Sequence, residues 1–132
     1  MDHKNLDIWK ASTELALHIY KTTNCFPKEE IYSLTSQIRR SAVSVPSNIA
    51  EGAARNSDKE FVHFLYIALG SLSEVETQMI IAERLGYTNH SDEVFTRVSS
   101  IKQMTLGLIR HLRNKKRSKE RESGVARHES NI

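Results

Sequence analysis

The sequence predicts an all-α protein: an antiparallel up-down-up-down four-helix bundle with a disordered basic C-terminal tail. Three observations carry this expectation. Apolar residues recur at three- and four-residue steps in four blocks, and no segment alternates as a strand would. Only 5 Gly and 2 Pro interrupt 132 residues. The connections between blocks are short, and helices of similar length joined by short loops return antiparallel. With 39% hydrophobic and 27% charged residues the chain suits one globular domain, placed at residues 1–114, followed by the tail over residues 115–132.

The first helix is expected from about Leu6 to Thr23, capped by Asn5, with Ile8, Trp9, Leu15, Ala16, Ile19 and Tyr20 on its buried face. Asn24 and Pro27 close it. The second opens at Pro27, where Glu29 and Glu30 suit the positive end of a helix dipole. Its stripe of Ile31, Leu34, Ile38, Ala42, Val45, Ile49 and Ala53 passes through Pro46 without changing phase, which reads as one kinked helix; the other reading is two helices broken at Val45. A proline in a helix interior costs about 3 kcal/mol, which tertiary contacts must offset.

Ser57 and Glu60 have the spacing of a capping box at the start of the third helix. Phe61, Phe64, Leu65, Ala68, Leu72, Val75, Met79, Ala82 and Leu85 form its core face, and Gly86 is placed to end it in the left-handed conformation. Ser91 caps the fourth helix, with Asp92 and Glu93 in the first turn and Val94, Phe95, Val98, Ile101, Leu108, Ile109 and Leu112 facing inward.

Chemistry-bearing patterns are few. Cys25 is the sole cysteine, so no internal disulfide forms, and no Cys/His cluster offers zinc. Glu60 and His63 make one E-x-x-H step, but a two-metal bundle site needs a second copy and further inward glutamates. The glycines are isolated, without a phosphate-cradling loop or nucleophile elbow. The expectation is a protein that is not an enzyme, with no cofactor and no metal. No apolar run approaches the roughly 18 residues of a spanning helix, so the expected setting is the cytoplasm, without a membrane partner.

Two features remain. The second helix carries a polar stripe of Gln37, Arg40, Ser44, Asn48, Glu51 and Arg55, and the third offers Gly70, Ser71, Glu74 and Gln78 on one edge. This is either a solvated face with a Glu51–Arg55 pair or a subunit interface, where small and amide side chains let helices approach and Gly70 admits a backbone. The other feature is charge. Residues 1–109 carry a net −2 and residues 110–132 a net +5, with Arg110, Arg113, Lys115, Lys116, Arg117, Lys119 and Arg121 clustered in one window. Such a cluster binds phosphate backbones by counterion release, or simply solvates a helix end. No aromatic residue interleaves it in the sequence.

The run Gln37-Ile38-Arg39-Arg40-Ser41-Ala42-Val43-Ser44-Val45-Pro46-Ser47-Asn48-Ile49-Ala50-Glu51-Gly52 resembles the centre of a bacterial family of small four-helix-bundle proteins. That family includes proteins encoded by intervening sequences within 23S ribosomal RNA genes. The resemblance extends over roughly residues 6–112, through Trp9 and Ala11, Ile19 and Tyr20, Phe26 and Pro27, the stretch from Phe64 to Leu72, Glu74 with Glu76, and Leu85-Gly86-Tyr87. It implies a ring-like homo-oligomer, a pentamer. A related member, the accessory variability determinant of diversity-generating retroelements, binds nucleic acid and a reverse transcriptase, so RNA or DNA and a reverse transcriptase or other protein are the partners the resemblance implies. That relative's bundle surface is strongly basic, whereas here the bundle is slightly acidic, which moves the expected contact to the tail. The combined expectation is an oligomeric accessory protein that holds nucleic acid through its basic C-terminal segments; the alternative is a protein-interaction scaffold.

Overall fold

The computed structural model describes the backbone of residues 2–130 and the side chains of residues 2–115 and 121. Four helices, α1 (Asp7–Thr23), α2 (Leu34–Ala53), α3 (Asp58–Arg84) and α4 (Asp92–Ser130), are accompanied by short 3-10 turns at His3–Asn5 and Lys28–Glu30, and no strand occurs among the described residues. Each helix packs on its neighbours in chain order and α4 closes on α1. The register is antiparallel: Ser41 reaches Glu74 while Ser44, one turn further on, reaches Ser71, one turn earlier. This is the bundle the apolar periodicity predicts.

The core follows the expected stripes through Leu15 and Ile19 of α1, Ile38, Val45 and Ile49 of α2, Leu65, Leu72, Val75 and Met79 of α3, and Val94, Val98 and Ile101 of α4. Several expected members lie further out. Trp9, Phe64, Phe95 and Leu108 are half-buried, and Tyr20, Ile31 and Leu85 are exposed. Ser12, Thr23 and Thr105 are buried in the seams. Each donates to a carbonyl one turn back, Ser12 to Ile8 (2.6 Å), Thr23 to Ile19 (2.7 Å) and Thr105 to Ile101 (2.7 Å). A hydroxyl satisfied by its own helix needs no partner across the seam, so a small polar side chain is buried there without an unpaired donor.

Helix starts depart from expectation. Asn5 belongs to the 3-10 turn, Asp2 Oδ1 accepts from the Lys4 amide (3.0 Å), and Leu6 holds the cap position of α1 without a side-chain bond. α2 begins at Leu34 rather than Pro27, because Glu30 terminates the preceding turn and turns back as a cap. Its Oε2 accepts from the Leu34 amide (3.1 Å) and the Ser33 hydroxyl (3.0 Å). Its Oε1 accepts from the Tyr87 hydroxyl (3.2 Å), and the Tyr87 ring lies 5.7 Å from that of Phe26. The two interhelical loops at this end are thereby clasped together. Ile31, ahead of the new start, faces solvent.

α2 does run unbroken through Pro46. Ser57 Oγ accepts from the Glu60 amide (3.2 Å), as the capping box predicts. Gly86 has φ +78°, and its amide bonds Glu83 (3.0 Å) while that of Tyr87 bonds Ala82 (3.0 Å), the paired closure that a left-handed glycine permits. Ser91 occupies the turn before α4, but its hydroxyl is spent on Glu83 of α3, so it ties two helices rather than capping its own. α4 continues as helix to Ser130, in contrast to the disorder expected from residue 115. Lys, Arg and Glu are good helix formers and no proline interrupts the segment, so the backbone continues past Leu112, the last buried side chain described.

The Glu30 clasp makes a pH-dependent contribution. The Leu34 amide first, then the Ser33 hydroxyl, hold the Glu30 carboxyl below the usual carboxylate range. A carboxyl depressed in the folded state contributes stability above its unfolded pKa and loses it as pH falls through the folded value. Glu30→Gln is therefore expected to lower the urea midpoint at neutral pH, with the difference from wild type shrinking in acid. A midpoint difference independent of pH would show that the carboxylate charge is irrelevant to the clasp.

Candidate functional site

The polar stripe of α2 is divided by the fold. Ser44 and Asn48 turn inward towards Ser71 of α3: the two serine hydroxyls lie 2.9 Å apart, and Asn48 Nδ2 donates to the carbonyl (2.8 Å) and hydroxyl (2.9 Å) oxygens of Ser44. The Ser41 hydroxyl donates to the Gln37 carbonyl (3.0 Å) and lies 3.5 Å from Glu74 Oε2. This part of the stripe is a seam within one subunit, which sequence spacing could not distinguish from a seam between subunits. Gln37, Arg40 and Glu51 are exposed, Glu51 pairing with Arg55 at 2.6 Å. Gly70 and Glu74 also remain exposed.

The two glycines of α2 and α3 differ. A Cβ on Gly52 would lie 2.7 Å from Phe64 Cβ and 3.0 Å from Phe61 Cδ1, so the close helix approach occurs there, within the subunit. A Cβ on Gly70 would meet nothing within 4 Å. The approach expected at Gly70 is absent from the subunit itself.

The basic end of α4 stands apart from the core. Arg110, Arg113, Lys115 and Arg121 are exposed. Lys115 Nζ is 4.0 Å from Asp58 Oδ2, a loose surface pair that neutralises little. The side chains of Lys116, Arg117 and Lys119 lie outside the described residues. Tyr66, 43% exposed on α3, meets this cluster: the Arg113 guanidinium carbon sits 5.3 Å from its ring centre. Together with Leu106, Ile109, Arg110 and Asn114 they line a groove of about 270 Å³. The aromatic residue missing from the linear cluster is supplied by the neighbouring helix. The sequence signal was the antiparallel pairing of α3 with α4, which brings the start of one beside the end of the other.

Two other hollows lie at the opposite end. One, of about 450 Å³, is bounded by Tyr20, Tyr32, Arg39, Arg40 and Val43 among others. Tyr32 is 93% exposed, and Arg39 stacks over Tyr20 (4.7 Å) while its Nε donates to Thr23 Oγ1 (2.8 Å). The other, of about 730 Å³, includes Cys25, Glu83, His90 and Asp92. Cys25 donates to the Thr22 carbonyl (3.0 Å) and lies 3.6 Å from the Tyr87 carbonyl, and its hydrogen bonds among the described residues are to these carbonyls. His63 packs edge-on against Phe64, and among the described residues no three His, Cys, Asp or Glu side chains gather as a metal site. No helix among the described residues is long and apolar enough to cross a membrane.

Residues 4–107 match the family model described as 23S rRNA-intervening sequence protein. A solved structure of similar fold is that of a protein with unknown function from the S23 ribosomal protein family of Bacteroides thetaiotaomicron, 25% identical, with a TM-score of 0.68 over 77% of this chain and 97% of that one. No curated protein matches. The basic window from Arg110 onward lies beyond the matched residues.

Proposed function

Given that the chain belongs to the 23S rRNA-intervening sequence protein family, we propose that it is a non-enzymatic, homo-oligomeric accessory protein that holds RNA or DNA by the phosphate backbone through the basic end of α4. One observation carries the reading: a net +5 gathered in residues 110–132 against −2 in the rest, with the described cations Arg110, Arg113, Lys115 and Arg121 all exposed. Cations on a helix attract phosphates without reading bases, and several such helices in one oligomer bind with avidity. Cys25, free and exposed, suits a reducing compartment such as the cytoplasm.

The test compares the full chain with a variant in which Arg110, Arg113, Lys115, Lys116, Arg117, Lys119 and Arg121 are all replaced by Gln. Binding to a labelled RNA across a salt series should weaken in the variant, and the slope of log affinity on log salt should flatten by about 0.7–0.9 for each phosphate no longer neutralised. Equal affinity and equal slope would remove the basic segment from the function. Light scattering addresses assembly: Gly70→Leu, in open space within the subunit, should alter the oligomer while leaving the helical signal intact. The oligomer order that the family resemblance implies is five.

A second reading is favoured by the exposed apolar group of Tyr20, Ile31, Tyr32 and Val43 at the opposite end. There the protein is a scaffold for a protein partner, a reverse transcriptase among the candidates, with no nucleic-acid contact. A partner retained from nuclease-treated lysate at high salt, and lost on Tyr32→Ser, supports the scaffold.

A further inference from the structure

We infer that the groove between α3 and α4 at Tyr66 is a seat for an unpaired base, so that the protein prefers single-stranded nucleic acid to duplex. The inference deepens the nucleic-acid reading above and rests on it.

The argument begins with what lines the groove. Tyr66 offers a half-open aromatic ring, Leu106 an exposed apolar wall, and Arg110, Arg113 and Asn114 the remaining rim. No acidic residue lines it, in contrast to the larger hollow near Cys25, where Glu83 and Asp92 contribute. An apolar ring bordered by two guanidiniums fits a ligand that is flat and aromatic on one part and anionic on another, which is a nucleotide within a strand. A base stacks on the ring, the planar Arg113 group, already poised over Tyr66 at 5.3 Å, moves to cover the base or the next phosphate, and Arg110 meets the backbone. A groove of about 270 Å³ has room for one base. Paired bases are stacked on each other and present only edges and phosphates, so a duplex can use the basic rim but not the ring.

The basic segment alone gives no such discrimination, since phosphate contacts are shared by single strands and duplexes. Tyr66 is therefore the residue on which the preference turns. Its position on the outer face of a helix makes it replaceable without loss of core: Leu is a better helix former than Tyr.

The experiment uses the full chain, a fluorescein-labelled short RNA of mixed sequence, and the same RNA annealed to its complement. Anisotropy titrations follow wild type, Tyr66→Leu, Tyr66→Phe and Arg113→Lys, after circular dichroism has shown equal helicity. Wild type should bind the single strand more tightly than the duplex. Tyr66→Leu should lose about 5- to 150-fold in single-strand affinity, the range for one stacked base, with duplex affinity and the salt slope unchanged. Tyr66→Phe should restore binding, since it keeps the ring, and Arg113→Lys should fall between, keeping charge but losing the planar group. Unchanged single-strand affinity in Tyr66→Leu, or an equal loss for both ligands, overturns the base seat while leaving phosphate binding by α4 in place. Failure of wild type to bind either RNA overturns both.

Discussion

Gly52→Val is expected to destabilise the bundle by about 1–3 kcal/mol through overpacking, read as a drop in thermal midpoint of roughly 5–15 °C. The clash is specific. The first added carbon would stand 2.7 Å from Phe64 Cβ and 3.3 Å from the Phe61 carbonyl oxygen, and neither is the free end of a flexible chain. Relief requires α2 and α3 to separate where their packing is continuous with the core through Phe61, which is 5% exposed. Gly70→Ala is the control. With nothing within 4 Å of the new carbon, it should leave the subunit's stability unchanged or raise it by up to about 1 kcal/mol, the helix propensity gained over glycine. Since propensity alone favours valine over glycine in a helix, a Gly52→Val variant as stable as wild type would show that α2 and α3 yield at Gly52 without cost.

Leu72→Ala should cost about 2–5 kcal/mol, the range for emptying a leucine site in a packed core. Leu72 is fully buried near the middle of α3, with Val45 and Ile49 of α2 and Val98 and Ile101 of α4 in the same core. The seams around it are fixed by bonds such as Ser44 to Ser71, so the neighbouring helices have limited freedom to collapse into the void. Urea denaturation followed by circular dichroism should show a lower midpoint with an unchanged slope. A loss below about 1 kcal/mol would mean that the bundle relaxes around the cavity far more than close packing allows.

The fold was legible where the determining interactions are local. The phase of the apolar stripe across Pro46 is a property of α2 alone, and α2 is continuous. The Ser57 cap and the left-handed Gly86 close hydrogen bonds within a few residues; Gly86 formed as read, and of the capping box the Ser57 half formed, while the Glu60 carboxylate meets the Ser57 hydroxyl instead of its amide. The start of α2 was not legible, because Glu30 is held as its cap partly by Tyr87, 57 residues away. Nor could Gly52 and Gly70 be told apart: both interrupt helices, and only the side chains of α3 decide which one the subunit needs. The candidate site divides similarly. Its cations are clustered in one window, whereas Tyr66 joins them only through the pairing of α3 with α4.

The overshoot of α4 gives the chain a directional character. From residue 115 to Ser130 the helix adds roughly 24 Å at 1.5 Å per residue, all at one pole of the bundle. In the proposed oligomer, how copies are related then decides where the positive charge collects. A rotation axis parallel to the helices gathers every extension on one side, giving an assembly with a cationic crown and a bare base. A perpendicular twofold sends them to opposite poles, so that one particle could bridge two strands.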